Sequence, residues 1–221
     1  FGGTVTGRFS MTHPNLQQIP RTGSDRGNQL RTLFVPEEGH KWGCFDYSQQ
    51  EPRLVVHYAC LTGLSAAEEF KENYKAGDAD FHTLVADMAN IPRDQAKTIN
   101  LGKFYGMGKN KLKGELGVEE SKAEEIIKKY DARVPFVKQL MNHATDRAQK
   151  RGRIRTLLGR LCRFPLWEPN YFGIHKPLKH DEAFAEHGPG IRRAFTYKAL
   201  NKLIQGSAAD MIKKAMINLH K

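Results

Sequence analysis

Hydrophobic and polar positions change period several times along this chain. Residues 1–30 carry Gly, Thr, Pro, Asn and Arg without a clear period and read as loop with short helical pieces. Leu30–Pro36 and Lys41–Asp46 read as two short strands joined by the turn "PEEGH". Pro52 suits the first position of a helix and biases Glu51 away from helical angles, so a helix through Leu54–Leu61 is expected to begin just after Glu51. From there to Arg151 the period is helical almost throughout. Segments at about 65–75, 80–90, 93–105, 119–130 and 134–151 are separated by Gly, Pro or Asp. "RGRIRTLLGRLCRF" predicts a hairpin pivoting on Gly159. Residues 166–190 show no pattern and read as a loop, and Ile191–Lys221 closes as one long helix. No internal repeat or low-complexity tract interrupts the order.

Composition narrows the class. With 35 Lys and Arg against 24 Asp and Glu, the net charge of +11 points to a polyanionic partner, nucleic acid first and an anionic membrane surface second. No run approaches the 18 apolar residues that a bilayer span requires. Cys44, Cys60 and Cys162 are far apart and lack C-x-x-C spacing, which argues for a reduced intracellular compartment and against a disulfide framework or a cysteine zinc site. The chain opens on Phe1, mid-motif, and no secretory segment begins it, so a piece of a longer polypeptide is expected.

Two stretches carry chemistry. In "FDYSQQEPR" (Phe45–Arg53) an aspartate closes an apolar strand-like run. A carboxylate at a strand end is explained if it holds something, or if Asp46 caps the helix that follows. In "RDQAKTINLGKFYG" (Arg93–Gly106), Arg93, Lys97, Leu101 and Tyr105 recur at i+4 along one slowly drifting stripe. Arg93 and Lys97 lie about 6 Å apart along the axis, a match to adjacent phosphates of a triphosphate. Leu101 and Tyr105 continue the stripe with surfaces suited to a base or sugar. Taken alone, such a basic pair also reads as a solvated helix face.

These stretches do not stand alone. "TGRFSMTHPNLQQIPR", "FDYSQQEPR", "RDQAKTINLGKFYG" and "LNKLIQGSAAD" occur in this order, and together they closely resemble the family A DNA polymerases of the polymerase I type. The corresponding family patterns are approximately TGRxSSxxPNLQNIP, DYSQIELR, RxxAKxxNFGxxYG and NxPxQGxAAD. The resemblance covers most of the chain. It is weakest over 109–151 and absent over 166–190, and the short interval from "DFHT" to Arg93 looks more like phage members.

The resemblance implies an α+β, mostly helical fold: a palm with a small antiparallel sheet, incomplete in this segment, and helical fingers. Palm pieces would come from 1–52 and 152–221, and fingers from 53–151. It implies transfer of a nucleotide from a dNTP to a primer 3′-hydroxyl on a template, with two Mg²⁺ ions as cofactors. Asp46 resembles the first metal-binding catalytic carboxylate, with the Tyr47 carbonyl as a further ligand. Gln49, Gln50 and Glu51 resemble nucleotide-binding residues, Glu51 being the steric gate that crowds the sugar 2′ position, with Tyr105 packed against it. His82, Arg93 and Lys97 would meet the triphosphate, with Leu101 on the same nucleotide-binding stripe. Arg8, Asn15, Gln17, Asn201 and Gln205 resemble residues that touch the minor groove at the primer terminus. Ordinary structural roles stay open for His82, as a helix-start residue, and for Asn15, as a turn residue.

Several positions depart from the family. Leu101 stands where Phe or Tyr is usual, Gln50 and Pro52 replace Ile and Leu, and Tyr197 with Lys198 falls where an Arg is usual. The second catalytic carboxylate belongs to an "HDE" turn after the QGxAAD helix, within which this chain ends. The "HDE" at His180–Glu182 precedes that helix, lacks apolar flanks and is not assigned catalysis. The expected partners are primer–template DNA, a dNTP and a chain or segment carrying the missing carboxylate, with no membrane, in the cytoplasm of a bacterial or phage-infected cell. The chain alone is expected to be inactive. A non-catalytic DNA-binding fragment and a single-subunit RNA polymerase are the competing readings; Glu51 and "PNLQQIP" argue against the second.

Overall fold

A computed structural model of the chain describes residues 2–20, 23–64, 66–77, 80–107, 109–171 and 173–220. The chain divides into two compact units, Phe1–Ser48 and Gln49–Lys221.

The first unit is mostly irregular, as its Gly- and Pro-rich composition predicts. Strand β1 (Gly2–Gly3) pairs antiparallel with β2 (Phe9–Ser10). A 3₁₀ turn at Leu16–Gln18 is capped by Asn15, whose side chain accepts from the Gln17 N–H at 3.1 Å. Helix α1 (Asp25–Arg31) starts at Ser24, whose hydroxyl accepts from the Gly27 N–H. The strands expected over Leu30–Pro36 and Lys41–Asp46 do not form. Leu30 belongs to α1, and no residue from 32 to 48 lies in a strand. Only the turn between them appears, with His40 N–H donating to the Glu37 carbonyl and Gly39 at φ +78°. The reason is physical: alternation supplies a face, but a strand also needs a neighbour to take its backbone groups. Among the described residues none pairs with this stretch, and Phe34, Val35, Trp42 and Phe45 are exposed.

The second unit opens with seven helices: α2 (Gln50–Leu61), α3 (Ala66–Ala76), α4 (Phe81–Ala89), α5 (Arg93–Phe104), α6 (Lys109–Leu116), α7 (Glu120–Arg133) and α8 (Pro135–Arg151). Ser65, where the first expected segment starts, lies outside the described residues, and α6 is an addition to the expected set. Helix α2 begins at Gln50, before the expected start. Gln49 turns the chain in the left-handed region (φ +51°), so Glu51 and Pro52 both lie in the first turn. Proline is tolerated there because first-turn N–H groups have no intrahelical acceptor.

Next comes the hairpin of β3 (Arg153–Arg155) and β4 (Leu161–Arg163), turning at Gly159 (φ +88°) as expected. Residues 166–190 are not a plain loop. Strand β5 (Trp167–Pro169) pairs with β6 (Ile191–Arg193), and α9 (His180–His187) lies between them in sequence. Three-residue strands are too short for alternation to register, and α9 buries only Ala183. Ile191 therefore belongs to a strand, and the closing helix α10 runs over Ala199–His220 after a 3₁₀ turn at Thr196–Lys198.

The core centres on Phe81, which contacts Phe70 (ring centroids 5.0 Å), Phe104 (6.0 Å) and Phe136 (6.1 Å). Such pairs add about 0.5–1.5 kcal/mol each beyond area burial. Leu200 and Ile204 bring α10 into the same core, against α2 and α8. Helix α5 ends where the Met107 N–H donates to the Gly102 carbonyl at 2.7 Å, and the Met107 side chain folds over Gly102. A Cβ on Gly102 would stand 2.2 Å from the Met107 methyl carbon. Among the described residues no helix is long and apolar enough to cross a membrane.

Candidate active site

The start of α2 is held from two sides. The Gln49 side-chain oxygen accepts from the Phe81 N–H (3.1 Å) and the Tyr74 hydroxyl (3.3 Å), which docks α2 on α4 and α3. The Gln50 amide donates to the Ala208 carbonyl of α10 at 3.2 Å. Glu51, between these anchored positions, accepts from the Tyr105 hydroxyl at 2.5 Å. The Gln205 amide of α10 in turn donates to that hydroxyl at 2.9 Å. Glu51, Tyr105 and Gln205 thus converge from three helices, and the expected packing of Tyr105 against Glu51 is present. Asn201 lies one turn before Gln205 on α10 and is half-buried.

Asp80 organises the starts of α4 and α5. Its Oδ1 accepts from the backbone N–H groups of His82 (2.7 Å) and Thr83 (3.1 Å), capping α4. Its Oδ2 accepts from Arg93 Nη2 (2.6 Å) and Nε (3.1 Å), fixing the guanidinium at the start of α5. Burial works to raise the Asp80 carboxyl, but the Arg93 hydrogen bond and the backbone donations hold it below its ordinary value. The one available signal in the sequence is its position in "DFHT", where an Asp before a helix reads as a cap.

His82 is buried, and its Nδ1 accepts from the Asn100 amide at 3.1 Å; Asn100 also donates to the Phe81 carbonyl. Burial lowers its imidazole from the ordinary value of 6.5. Asp80 opposes this, and Arg93 and Lys97 reinforce it. With Nδ1 as the acceptor, a neutral ring carries its proton on Nε2. Lys97 is exposed, whereas Leu101 and Tyr105 are half-buried against the core.

The first unit holds Arg8, Asn15, Gln17, Asp46 and Tyr47. Asn15 does serve as a turn cap, and the Gln17 amide donates to the Phe9 carbonyl at 3.2 Å. Asp46 and Tyr47 are exposed on irregular backbone rather than at a strand end. Among the described residues no three His, Cys, Asp or Glu side chains gather as a metal cluster. The donor chemistry of Asp46 nonetheless fits a hard cation, since its carboxylate and the Tyr47 carbonyl are oxygen ligands open to solvent.

Asp210, the aspartate that closes "QGSAAD", points inward. It pairs with Arg160 at 2.9 Å and accepts from the Thr156 hydroxyl, and the Leu157 N–H donates to Ser207 at 3.0 Å. This network fastens the β3–β4 turn to α10. Asp181 of the "HDE" stretch lies in α9 with a fully exposed side chain, paired with its neighbour His180.

Comparison with known proteins bears directly on this arrangement. The model for DNA polymerase family A matches residues 2–221. The chain belongs to the family A DNA polymerases. It is 35% identical to the DNA-directed DNA polymerase of Pseudomonas phage M6, over 97% of this chain and 35% of that protein. It is 34% identical to DNA polymerase I of Rhizobium leguminosarum, over 98% of this chain and 20% of that protein. Among solved structures it resembles the POL domain of Pol1 from M. smegmatis in complex with DNA primer–template and dNTP. That match has a TM-score of 0.72 and 31% identity, covering 98% of this chain and 36% of that one. The chain thus spans about a third or less of these relatives. The polymerase fold accounts for its mostly helical build with small antiparallel ladders.

Proposed function

We propose that this chain is the palm-and-fingers portion of a template-directed DNA polymerase. The fingers come from 53–151 and the palm from 1–52 and 152–221. The observation that carries the reading is the convergence of Glu51, Tyr105 and Gln205 at the end of the Arg93–Lys97–Leu101–Tyr105 stripe. Primer–template DNA and a dNTP, with which the M. smegmatis relative is in complex, are the partners assigned to this chain as well. Its place of action is the cytoplasm of a bacterial or phage-infected cell.

The parts divide the work. Arg93, held by Asp80, and the exposed Lys97 offer fixed positive charge to a triphosphate, where charge-assisted hydrogen bonds are strong. Glu51, pinned by Tyr105, crowds the sugar 2′ position and so disfavours a ribonucleotide. Gln205 and Asn201 from α10, with Arg8, Asn15 and Gln17, meet the minor groove, where acceptors common to all pairs report pair shape rather than sequence. The primer 3′-oxygen attacks the α-phosphate and pyrophosphate leaves. Asp46 and the Tyr47 carbonyl would hold Mg²⁺, which when bound supplies charge neutralisation at the phosphates.

The test is primer extension by the full-length enzyme that carries this segment, with dNTPs or rNTPs as the only substrates. Template-dependent extension with dNTPs and strong rejection of rNTPs is expected. Preferential use of rNTPs would establish the RNA polymerase reading instead, and duplex binding without extension would make the chain a binding module.

A further inference from the structure

The β3–β4 hairpin carries a charge arrangement that the nucleotide site does not use. Residues 151–164 contain five arginines and no carboxylate. In the ladder Arg153 stands opposite Arg163, and Arg155 opposite Leu161. The bounding hydrogen bonds run from Thr156 N–H to the Arg160 carbonyl and from Phe164 N–H to the Gly152 carbonyl. The hydrogen-bonded pairs therefore alternate as 152/164, 154/162 and 156/160, which leaves Arg153/Arg163 as a non-hydrogen-bonded pair. Facing Cα atoms in such a pair are only about 4.5 Å apart. Like charges directly opposite are destabilising. Ile154 and Cys162, on the other face, are buried, so Arg153, Arg155 and Arg163 share the solvent face. Among the described residues no carboxylate pairs with any of the three; Arg155 donates to the Gly159 carbonyl. Arg160, by contrast, turns inward to Asp210 and locks the hairpin to α10.

A repulsive pair on a rigid, exposed ladder is stabilised by an anion that bridges it. Arg153 and Arg155, two residues apart on one strand, are separated by about 6.6 Å, the length of two steps of a nucleic-acid strand at about 3.4 Å each. We propose that the solvent face of the β3–β4 hairpin, formed by Arg153, Arg155 and Arg163, grips the phosphodiester backbone of a nucleic acid outside the nucleotide site. The inference rests on the polymerase reading and adds a contact surface to it. Its arginines make no base contacts, so its contribution is affinity without sequence preference.

Fluorescence anisotropy of a fluorescein-labelled oligonucleotide, single-stranded and as primer–template, tests this across a salt series. Replacing all three arginines by alanine should weaken binding and reduce the slope of log affinity against log salt by about 2 to 3, while replacement by lysine should retain most of the slope. Arg153→Glu separates binding from folding. It turns the repulsive pair with Arg163 into an attractive one, so its melting temperature should rise while oligonucleotide affinity falls. A risen melting temperature with unchanged affinity, or an alanine variant with the parent slope, would overturn the proposal. So would a loss confined to anionic phospholipid vesicles, measured in parallel. If the parent protein itself binds neither oligonucleotide, the polymerase reading fails rather than this surface alone.

Discussion

Tyr105 donates its hydroxyl proton to Glu51, tying the C-terminal end of α5 to the first turn of α2. Each residue thereby sets the position of the other. Glu51→Ala should raise ribonucleotide incorporation relative to deoxyribonucleotide about 10- to 200-fold, the range expected when a steric feature of a pocket is removed. Tyr105→Phe keeps the ring but removes one hydrogen bond that positions the carboxylate, so it should raise the same ratio by a smaller factor. The double variant should fall well short of the product, because both changes act on one contact. Competitive incorporation assays on the full-length enzyme and its three variants measure this, and full multiplicativity would show that the two residues act separately.

Arg93→Ala should raise the dNTP concentration needed for half-maximal rate about 10- to 100-fold, the loss of one charge-assisted hydrogen bond. Duplex affinity should hardly change. Asp80→Asn should reproduce part of this effect, since the amide weakens the hold on the guanidinium. If Arg93→Ala mainly lowers DNA affinity and flattens its salt dependence, the stripe faces nucleic-acid backbone instead.

In the full-length enzyme Asp46→Asn should slow nucleotide incorporation about a thousandfold, a change of roughly 4 kcal/mol in the barrier. DNA binding should stay near the parent value. Turnover within tenfold of the parent in single-turnover kinetics would remove Asp46 from the catalytic set.

Stability should fall as pH drops below 6.5, the ordinary imidazole value. The folded His82 is held below that value, chiefly by burial. Between the two values the unfolded chain binds a proton that the folded chain refuses, so the unfolded state gains. His82→Asn, which preserves an acceptor for Asn100, should flatten this part of the profile in urea titrations run across pH.

Phe81→Ala should cost about 3–5 kcal/mol, because it empties the centre of a ring cluster built from four helices. Chemical denaturation would register this as a lower midpoint with an unchanged slope.

Long helices are legible in the sequence because their period repeats over several turns, as in the Arg93–Tyr105 stripe, and the Glu51–Tyr105 contact follows from motif resemblance. Residues 30–46 mislead because alternation there describes side chains and says nothing of a pairing strand. Strands β5 and β6 escape notice for the opposite reason: pairing forms them over too few residues to leave a pattern. The two roles of Asp80 depend on α4 and α5 meeting, a relation between positions 13 residues apart that no local pattern encodes. The fixed, inward-facing Gln49 likewise owes its place to Phe81 and Tyr74, distant in sequence.

The Met107 side chain that closes over Gly102 also makes the end of α5 a chemical clock. A thioether is the group that peroxide attacks, and a sulfoxide would add an oxygen and a strong dipole to a slot with little spare room. Oxidation that reaches Met107 should therefore loosen the end of the helix that carries Arg93 and Lys97. Storage under reductant, or Met107→Leu, should preserve nucleotide affinity during peroxide treatment, with peptide mass spectrometry reporting which methionine has gained oxygen.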